Sequence, residues 1–473
     1  MLLVLKSGAR ARFFAAVALA KFYKKEKNMF KFRFLGNTRL PQRKNTAGMQ
    51  AIRMPAPTEV LIPVEQHIGA SATPIVKAGD EVKVGQLIAE APSAFSSPIH
   101  SSVSGKVVKI DSILRSNGKT VQAIRIENDG LMTPYDGITP PEVTDLDSLV
   151  ATVHSSGIIG LGGAGFPTAI KLEGAKKQKI TTLILNGAEC EPYITVDTRT
   201  MLDDADLISE GVELLLKHLP DLERVIIGIE SNKPECIEKL NEIFADKAEV
   251  TVSALPARYP QGAEKVIIRN LTGITVPAGK LPADVGVMVL NVTTVANIAR
   301  HLRTGMPLVE KRLTVDGSAV NSPKNLIVPI GSSIRDVLDF AGGLKEDAAK
   351  VILGGPMTGF AACSLDEPIL KATGAVIAFT EKDSVHLKTT ACIHCGRCVE
   401  SCPHKLNPTA FTKALGISAE AERMQALSDL GITLCVECGC CSFVCPANRP
   451  LMENNRVAKN ALRSYTAARK DLK

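Results

Sequence analysis

Eight of the twelve cysteines stand in two short runs, Cys392, Cys395, Cys398 and Cys402 before Pro403, then Cys435, Cys438, Cys441 and Cys445 before Pro446. Each run reads C-x2-C-x2-C-x3-C-P. At that spacing three thiolates turn inward around one cuboidal cluster, the fourth reaches the other cluster, and the proline leads the chain out of the turn. On this pattern one [4Fe–4S] centre takes Cys392, Cys395, Cys398 and Cys445, and a second takes Cys402, Cys435, Cys438 and Cys441. Structural zinc usually separates two C-x2-C pairs by a longer loop. Disulfides between neighbours this crowded would be strained. The chemistry is electron transfer, and the compartment it requires is reducing. Cys440 is off the pattern, while Cys190, Cys236 and Cys363 read as small buried hydrophobes.

A second chemical motif lies upstream. Gly160-Leu161-Gly162-Gly163-Ala164-Gly165 is a literal G-x-G-x-x-G opening a helix at about Thr168. Bare backbone there can approach a phosphate, and a helix start supplies free N–H groups and a positive dipole end. The next strand, Thr182 to Leu185, ends at Asn186-Gly187-Ala188-Glu189-Cys190-Glu191-Pro192, with an acid at the distance a ribose-binding position requires. A tight turn would also explain the glycines alone; with the acidic loop and the cysteine runs they indicate a nucleotide site.

The elements that must position these motifs form a multidomain α/β and α+β chain. From Pro55 to about Glu127, short β-type runs alternate with turns: Val60–Pro63, Pro74–Val76, Leu87–Ala89, Gly105–Val108 and Ala123–Ile126, with Gly79-Asp80 and Asn117-Gly118 as hairpin turns. This stretch resembles a biotinyl/lipoyl-type barrel-sandwich. Its central hairpin, Ala91-Pro92-Ser93-Ala94-Phe95, lacks the lysine that carrier members modify, so the module is structural or a docking surface. His67 reads as a loop hydrogen-bonder. Helical and strand-like runs alternate over 137–275, the signature of an α/β layer; Val225–Ile229 is a buried strand and Leu207–Leu216 a helix. Arg312–Val315, the turn Asp316-Gly317, Leu326–Val328 and a helix over Ser333–Phe340 fit a β-grasp module of the soluble-ligand-binding type, assigned to scaffolding. Between the cysteine runs, Ala410, Ala414, Met424, Leu427 and Leu430 recur at helical spacing, giving two short helices joined at Gly416 that pack over the clusters. The implied boundaries are 1–50 (basic extension), 51–136 (barrel-sandwich), 137–275 (α/β nucleotide domain), 276–385 (β-grasp), 386–455 (two-cluster, ferredoxin-like) and 456–473 (basic, solvated tail helix).

Composition narrows the function classes. Across 473 residues the hydrophobic share is 45%, enough for sizeable cores, so the chain is not disordered as a whole. Aromatics are 4%, with no Trp, which disfavours a stacking surface for single-stranded nucleic acid. No run approaches the roughly 20 apolar residues of a spanning helix. Residues 1–50 hold twelve Lys or Arg and one acid, Glu26, so they account for +11 of a total of +7 and leave −4 on the rest. The folded body therefore lacks the basic field of a nucleic-acid binder. Phe13–Ala20 behind Lys6, Arg10 and Arg12 superficially resembles a weak secretory signal. The preferred reading is an upstream start, with the working chain beginning at Met29, in keeping with a reducing compartment. An arm touching anionic lipid is a third reading.

Gly160 to Pro167 with Thr168 and Lys171, then Asn186 to Pro192, then Tyr259-Pro260-Gln261-Gly262-Ala263-Glu264, then Asn291-Val292-Thr293-Thr294, resemble the flavin subunit of respiratory complex I, in matching order. With the barrel-sandwich in front and the two cysteine runs behind, residues 30–455 resemble the RnfC family of ion-translocating Rnf-type electron transport complexes. The resemblance implies a peripheral subunit on the cytoplasmic face of the membrane, with non-covalent FMN, an NADH site and two [4Fe–4S] clusters, working with other subunits and a ferredoxin or ferredoxin-like partner. It implies that Gly160, Gly162 and Gly165 line the flavin, that Lys171 offsets phosphate charge, and that Asn186, Glu189, Gly262, Asn291 and Thr294 bond its ring and ribityl groups. Glu264 belongs to the same set; Phe166 would stack on the nucleotide and Glu191 would meet NADH. The chain departs from the complex I pattern at Leu161, where Arg is usual, and at Ala188, where Asp is usual. A nicotinamide yields two electrons together and a cluster takes one, so a flavin between them is physically required. Two other readings share some of these motifs: a cobalamin-reductase-type flavo-iron–sulfur protein, and a non-enzymatic iron–sulfur adaptor.

Overall fold

A computed structural model describes residues 35–470 other than 37 and 386. The apolar run Phe13–Ala20 and the Met29 start lie outside them. Seventeen strands are described, β1 to β17, in four sheets. The first, β1 (Ile52–Arg53), runs parallel to β14 in the β-grasp sheet, so residues 51–53 do not belong to the barrel-sandwich as the expected boundary had it.

The barrel-sandwich packs a sheet of order β2-β8-β7-β4 against one of order β3-β5-β6. Its strands are β2 (Glu59–Pro63), β3 (Thr73–Pro74), β4 (Glu81–Val82), β5 (Leu87–Glu90), β6 (Ile99–His100), β7 (Gly105–Leu114) and β8 (Thr120–Asn128). Val60, Ile62, Ile88, Ile99, Val107, Ile124 and Ile126 fill the space between the sheets, as period-2 alternation demands. The β7–β8 hairpin turns at Asn117-Gly118 and runs well beyond the apolar residues that signalled it. Cross-strand pairing of Arg125 with Asp111 and Glu59 supports this polar continuation.

The nucleotide domain begins with α1 (Leu146–Ser155) and α2 (Thr168–Lys177). It is built on four parallel strands, β9 (Thr182–Gly187), β10 (Arg224–Glu230), β11 (Val250–Leu255) and β12 (Val287–Asn291), in the order β11-β10-β9-β12. Between them run α3 (Val196–Asp203), α4 (Ala205–His218), α5 (Pro234–Ile243) and α6 (Glu264–Thr272), and α7 (Val292–Thr304) follows β12. The chain winds outward from β9 to β11 and returns to the other side of β9 at β12. In such sheets a crevice opens beyond the carboxyl ends of the strands where the winding reverses, here β9 and β12. Those ends are Asn186-Gly187 and Asn291.

The β-grasp sheet has the order β1-β14-β13-β17-β15-β16, with β13 (Glu310–Asp316), β14 (Lys324–Pro329), β15 (Ala348–Leu353), β16 (Phe360–Ala361) and β17 (Ala375–Thr380). The expected hairpin is β13–β14, and the expected helix is α8 (Ile334–Phe340), capped by Ser333. The cysteine region carries α9 (Arg397–Ser401), α10 (Pro408–Leu415), α11 (Glu420–Asp429), α12 (Cys440–Phe443) and α13 (Leu451–Lys470). The short pair α10 and α11 is present, but its buried face (Phe411, Ala414, Met424, Leu427) packs chiefly on Ala458 and Leu462 of α13, and Leu430 is left exposed.

The fold corrects two boundaries drawn from charge. The basic tail cut at 456 falls inside α13, where Arg456 and Lys459 both grip Glu437 rather than standing in water. Likewise residues from Thr38 onward are threaded into the body: Thr38 and Tyr259 exchange backbone hydrogen bonds, and the Thr46 hydroxyl lies 2.6 Å from that of Thr195. Net charge over a window does not distinguish a solvated cation from one that finds partners in the fold.

Barrel-sandwich, nucleotide domain and β-grasp region meet at Lys371, which is 1% exposed. Its Nζ donates to the carbonyls of Pro98 (2.7 Å) and Gly157 (2.8 Å). A Cβ at residue 157 would lie 2.8 Å from that Nζ and 3.3 Å from His100 Nδ1, so only glycine fits. Burial, reinforced by the Lys371 charge, pushes buried His100 down to about 3. In the unfolded chain it would protonate at its ordinary value near 6.5. Stability from this residue is therefore complete above about pH 6.5 and falls by about 1.4 kcal/mol per pH unit as the pH drops toward 3. In denaturant titrations from pH 7 to pH 4, the stability of the wild type minus that of His100→Asn should fall with that slope below about pH 6.5, whatever the buried carboxyls add to both.

Candidate functional site

The glycine loop is closed at its base, where Gly160 N–H donates to Phe166 O at 2.8 Å and Gly165 N–H to Gly160 O at 3.3 Å. Gly163 and Gly165 take positive φ, and Gly162, Gly163 and Ala164 are exposed. The N–H groups of those three residues have no partner among the described residues. Helix α2 follows with no side-chain cap, and the buried Thr168 hydroxyl at its start is unpartnered. Free donors and an uncapped helix start suit a phosphate or an electron-rich ring edge. These residues fit a flavin mononucleotide.

The loop faces the crevice walls. Leu161 N–H donates to Thr294 Oγ1 at 2.9 Å, and a Cβ on Gly162 would sit 3.2 Å from Asn291. Asn291 caps α7 through Thr294 N–H, and its Nδ2 donates to Asp197 Oδ2 at 2.8 Å. Asn186 Nδ2 donates to Gly262 O at 2.9 Å, closing the floor. Thus Gly160, Gly162, Gly165, Asn186, Gly262, Asn291 and Thr294 come together. Lys171 instead ion-pairs with Glu264 (2.6 Å) and donates to Val289 O. Phe166 meets the barrel-sandwich hairpin edge-on, its ring 5.4 Å from that of Phe95, while Ile68 N–H donates to Gly165 O.

Both acids have protein partners. Glu189, at φ 50°, accepts from Asp197 N–H (2.6 Å), Thr198 N–H and the Thr198 hydroxyl (2.6 Å), so it caps α3. Burial pushes its carboxyl up to about 7, against the pull of Lys44. Glu191 accepts from Met357 N–H (3.1 Å) and the Thr358 hydroxyl (2.6 Å), and burial raises its carboxyl too. Lys44 Nζ donates to the carbonyls of Glu189, Glu191 and Ile194 at 2.8, 2.8 and 2.6 Å. Lys233, paired with Glu230, donates to Ala188 O at 2.6 Å.

The two cysteine runs are backbone twins. His394 and Glu437 share φ near 55°, Gly396 and Gly439 share 77°, and Lys405 and Asn448 follow at 56° and 49°. None of the eight thiols is in a disulfide. Cys402, Cys435, Cys438 and Cys441 line one small pocket. Burial pushes Cys441 up to about 12, and its thiol neighbours are Cys438, Cys435 and Cys402. Burial also raises Cys398, whose thiol neighbours are Cys445 and Cys392. The donor set and its division into fours suit two cuboidal clusters. The first run is the more open, with Cys395 exposed and Ile393 67% exposed. The second faces inward, where Cys440, Cys438, Tyr259, Cys190, Leu40 and Met357 form one packed cluster.

Comparison with known proteins matches four family models in sequence order. These are an RnfC barrel sandwich hybrid domain (32–131), a Nuo51 FMN-binding domain (153–300), an SLBB domain (312–361) and a 4Fe-4S dicluster domain (388–449). The chain is 43% identical over 373 residues to the RnfC-type subunit of the proton-translocating ferredoxin:NAD(+) oxidoreductase complex of Clostridium ljungdahlii, covering 78% of this chain and 81% of the relative. This chain belongs to the RnfC family. It is 41% identical over 379 residues to the RnfC-type subunit of the Na(+)-translocating ferredoxin:NAD(+) oxidoreductase complex of Acetobacterium woodii, covering 79% and 85%. It is 38% identical over 414 residues to the corresponding subunit of the ion-translocating oxidoreductase complex of Rhodobacter capsulatus, covering 86% and 79%. The expected fold class and its FMN-binding and 4Fe-4S dicluster domains stand on these matches.

At the two departures from the complex I pattern, the side chains of Leu161 and Ala188 are buried, and their carbonyls take Lys311 and Lys233 respectively. Sequence reasoning missed the lysines Lys44, Lys233, Lys311 and Lys371, and the contact made by Met357. An isolated Lys gives no sign of burial; its partners here are main-chain carbonyls, which leave no trace in residue type. Cys363, expected to be buried, is exposed beside Ser116 and Glu367. Removing one ligand tests the division into quartets: Cys445→Ser should lower iron from about eight to about four per chain and abolish one of two cluster EPR signals. The retained signal should belong to the cluster that Cys441→Ser removes.

Proposed function

We propose that this chain exchanges electrons between NAD(H) and the membrane-bound part of an Rnf-type ion-translocating complex, through FMN and then two [4Fe–4S] clusters in series. When bound, the flavin supplies the change from paired to single electrons and the clusters supply one-electron transfer. The observation that carries the order is the contact chain around Met357. Its N–H donates to Glu191 of the acidic loop, and its carbonyl would lie 2.7 Å from a Cβ on Gly439, between Cys438 and Cys440. Tyr259 adds a second contact, its hydroxyl 3.4 Å from Glu191 and its ring packed by Cys190 and Cys440.

Each group of residues has a task in this reading. Gly162 to Ala164 present donors to the flavin, and Asn186, Asn291 and Thr294 wall its crevice. Phe166 and Phe95 flank the approach of the nucleotide. Cys402, Cys435, Cys438 and Cys441 hold the cluster nearer the flavin; Cys392, Cys395, Cys398 and Cys445 hold the outer one, which meets the partner. Packing of α10 and α11 on α13 shields the inner quartet from water. The relatives are named as subunits of ferredoxin:NAD(+) oxidoreductase complexes, which supports a ferredoxin or ferredoxin-like partner subunit. No described helix is long and apolar enough to cross a membrane; we place the chain peripherally, on the cytoplasmic face.

The test is an anaerobic NADH titration of the full chain loaded with FMN, iron and sulfide. Flavin absorbance should bleach, and cluster EPR signals should then rise. Clusters that stay oxidised beside a reduced flavin would refute the series. Cys395→Ser should leave bleaching intact while slowing reduction of an external one-electron acceptor at least about tenfold, because losing the outer cluster lengthens the path of transfer without touching NADH binding.

A further inference from the structure

Lys311 stands on β13, in the β-grasp sheet, and is 1% exposed. Its Nζ donates to the carbonyl of Leu161 at 3.2 Å. A buried cation from one domain therefore ends on the glycine loop of another. Burial lowers Lys311 to about 8, against the pull of Asp197. Asp197 accepts from Asn291 Nδ2 (2.8 Å) and the Thr293 hydroxyl (2.7 Å), and the loop is tied to the start of α7 by Leu161 N–H donating to Thr294 Oγ1.

Leu161 is thus gripped on both sides, its N–H by Thr294 Oγ1 and its C=O by the ammonium. The peptide from Leu161 to Gly162 is trans and planar, so the Gly162 N–H points away from Lys311. Gly162, Gly163 and Ala164 are exposed, their N–H groups have no partner among the described residues, and a Cβ on Gly163 would meet nothing. A carbonyl that accepts from a cation is also polarised, which strengthens the N–H on the same peptide as a donor.

We infer that Lys311 is a positioning residue for the flavin, fixing the Leu161–Gly162 peptide so that the N–H groups of Gly162 to Ala164 stay presented to FMN. The inference rests on the flavin reading above and gives the β-grasp module a task beyond scaffolding. Lys311 touches the loop, not the reacting atoms.

The experiment measures FMN affinity by fluorescence quenching, using the full chain with its clusters loaded and its flavin removed. Lys311→Met should raise the Kd about tenfold or more, the scale of one charge-assisted hydrogen bond. Thr294→Val should raise it as well, and the double variant should exceed the worse single one by less than about twofold, because both act on one peptide. Effects that multiply, or a Lys311→Met chain that melts like wild type and binds FMN within twofold of it, would overturn the inference. If Lys311→Met does not fold, Lys311→Gln keeps a neutral donor and should lose about three- to tenfold; unchanged affinity there overturns the inference equally. A wild-type chain that binds no FMN would overturn the flavin reading along with it, whereas equal binding by wild type and variants overturns only the role of Lys311.

Discussion

Lysine ammonium groups taken out of water and handed to main-chain carbonyls give the site its shape. Lys44 holds the carbonyls of Glu189, Glu191 and Ile194, Lys233 that of Ala188, Lys311 that of Leu161, and Lys371 those of Pro98 and Gly157. A buried cation is costly unless its donors are met. Once met, it fixes every group it touches. The loops it touches are rich in glycine or run irregularly, with little of a ladder or helix to hold them. Each clamp reaches across the chain, Lys44 over 145 residues and Lys311 over 150. The crevice is therefore a product of tertiary structure, assembled where separate modules meet.

The parallel sheet makes this economical. Its winding reverses beside β9, so two strand ends, two helix starts and the glycine loop converge. The β-grasp sheet then closes over Glu191 through Met357 and Thr358, and α13 closes over the β-grasp loop: Arg456 donates to Thr358 O at 2.8 Å, lies over the Phe360 ring and pairs with Glu437 beside Cys438. The conversion from paired to single electrons needs this kind of stacking, because transfer weakens with every gap and a wet interface invites side reactions.

Much of this was legible in residue types. Thiolate spacing points to two quartets because ligand geometry constrains sequence directly. The glycine loop, the acidic turn and the two central strands of the nucleotide domain, β9 and β10, were visible because glycine, periodic apolar runs and helix caps are local signals; β11 and β12 were not read. What was not legible depends on distant partners. Arg456 and Lys459 looked solvated, yet Glu437 is their partner. Residues 38–50 looked like part of a charged extension, yet Thr38 pairs with Tyr259. Glu189 and Glu191 looked free to meet a nucleotide, yet both carboxylates have protein donors. Cys363 looked like a core residue, though its surroundings proved polar. Local chemistry was readable; the assignment of partners to charges was not.

The arm ahead of the barrel-sandwich bears on where a working polypeptide can begin. Between Thr38 and Met49 it supplies a two-way backbone pairing with Tyr259, three carbonyl contacts from Lys44, and two carbonyls that meet the Asn325 side chain. A chain begun at Met49 or Met54 would keep strands β2 to β17 and both cysteine runs, but would leave the acidic turn without Lys44 as its clamp. Trimming to the first strand would remove the Lys44 contacts with the carbonyls of Glu189, Glu191 and Ile194 and the pairing of Thr38 with Tyr259.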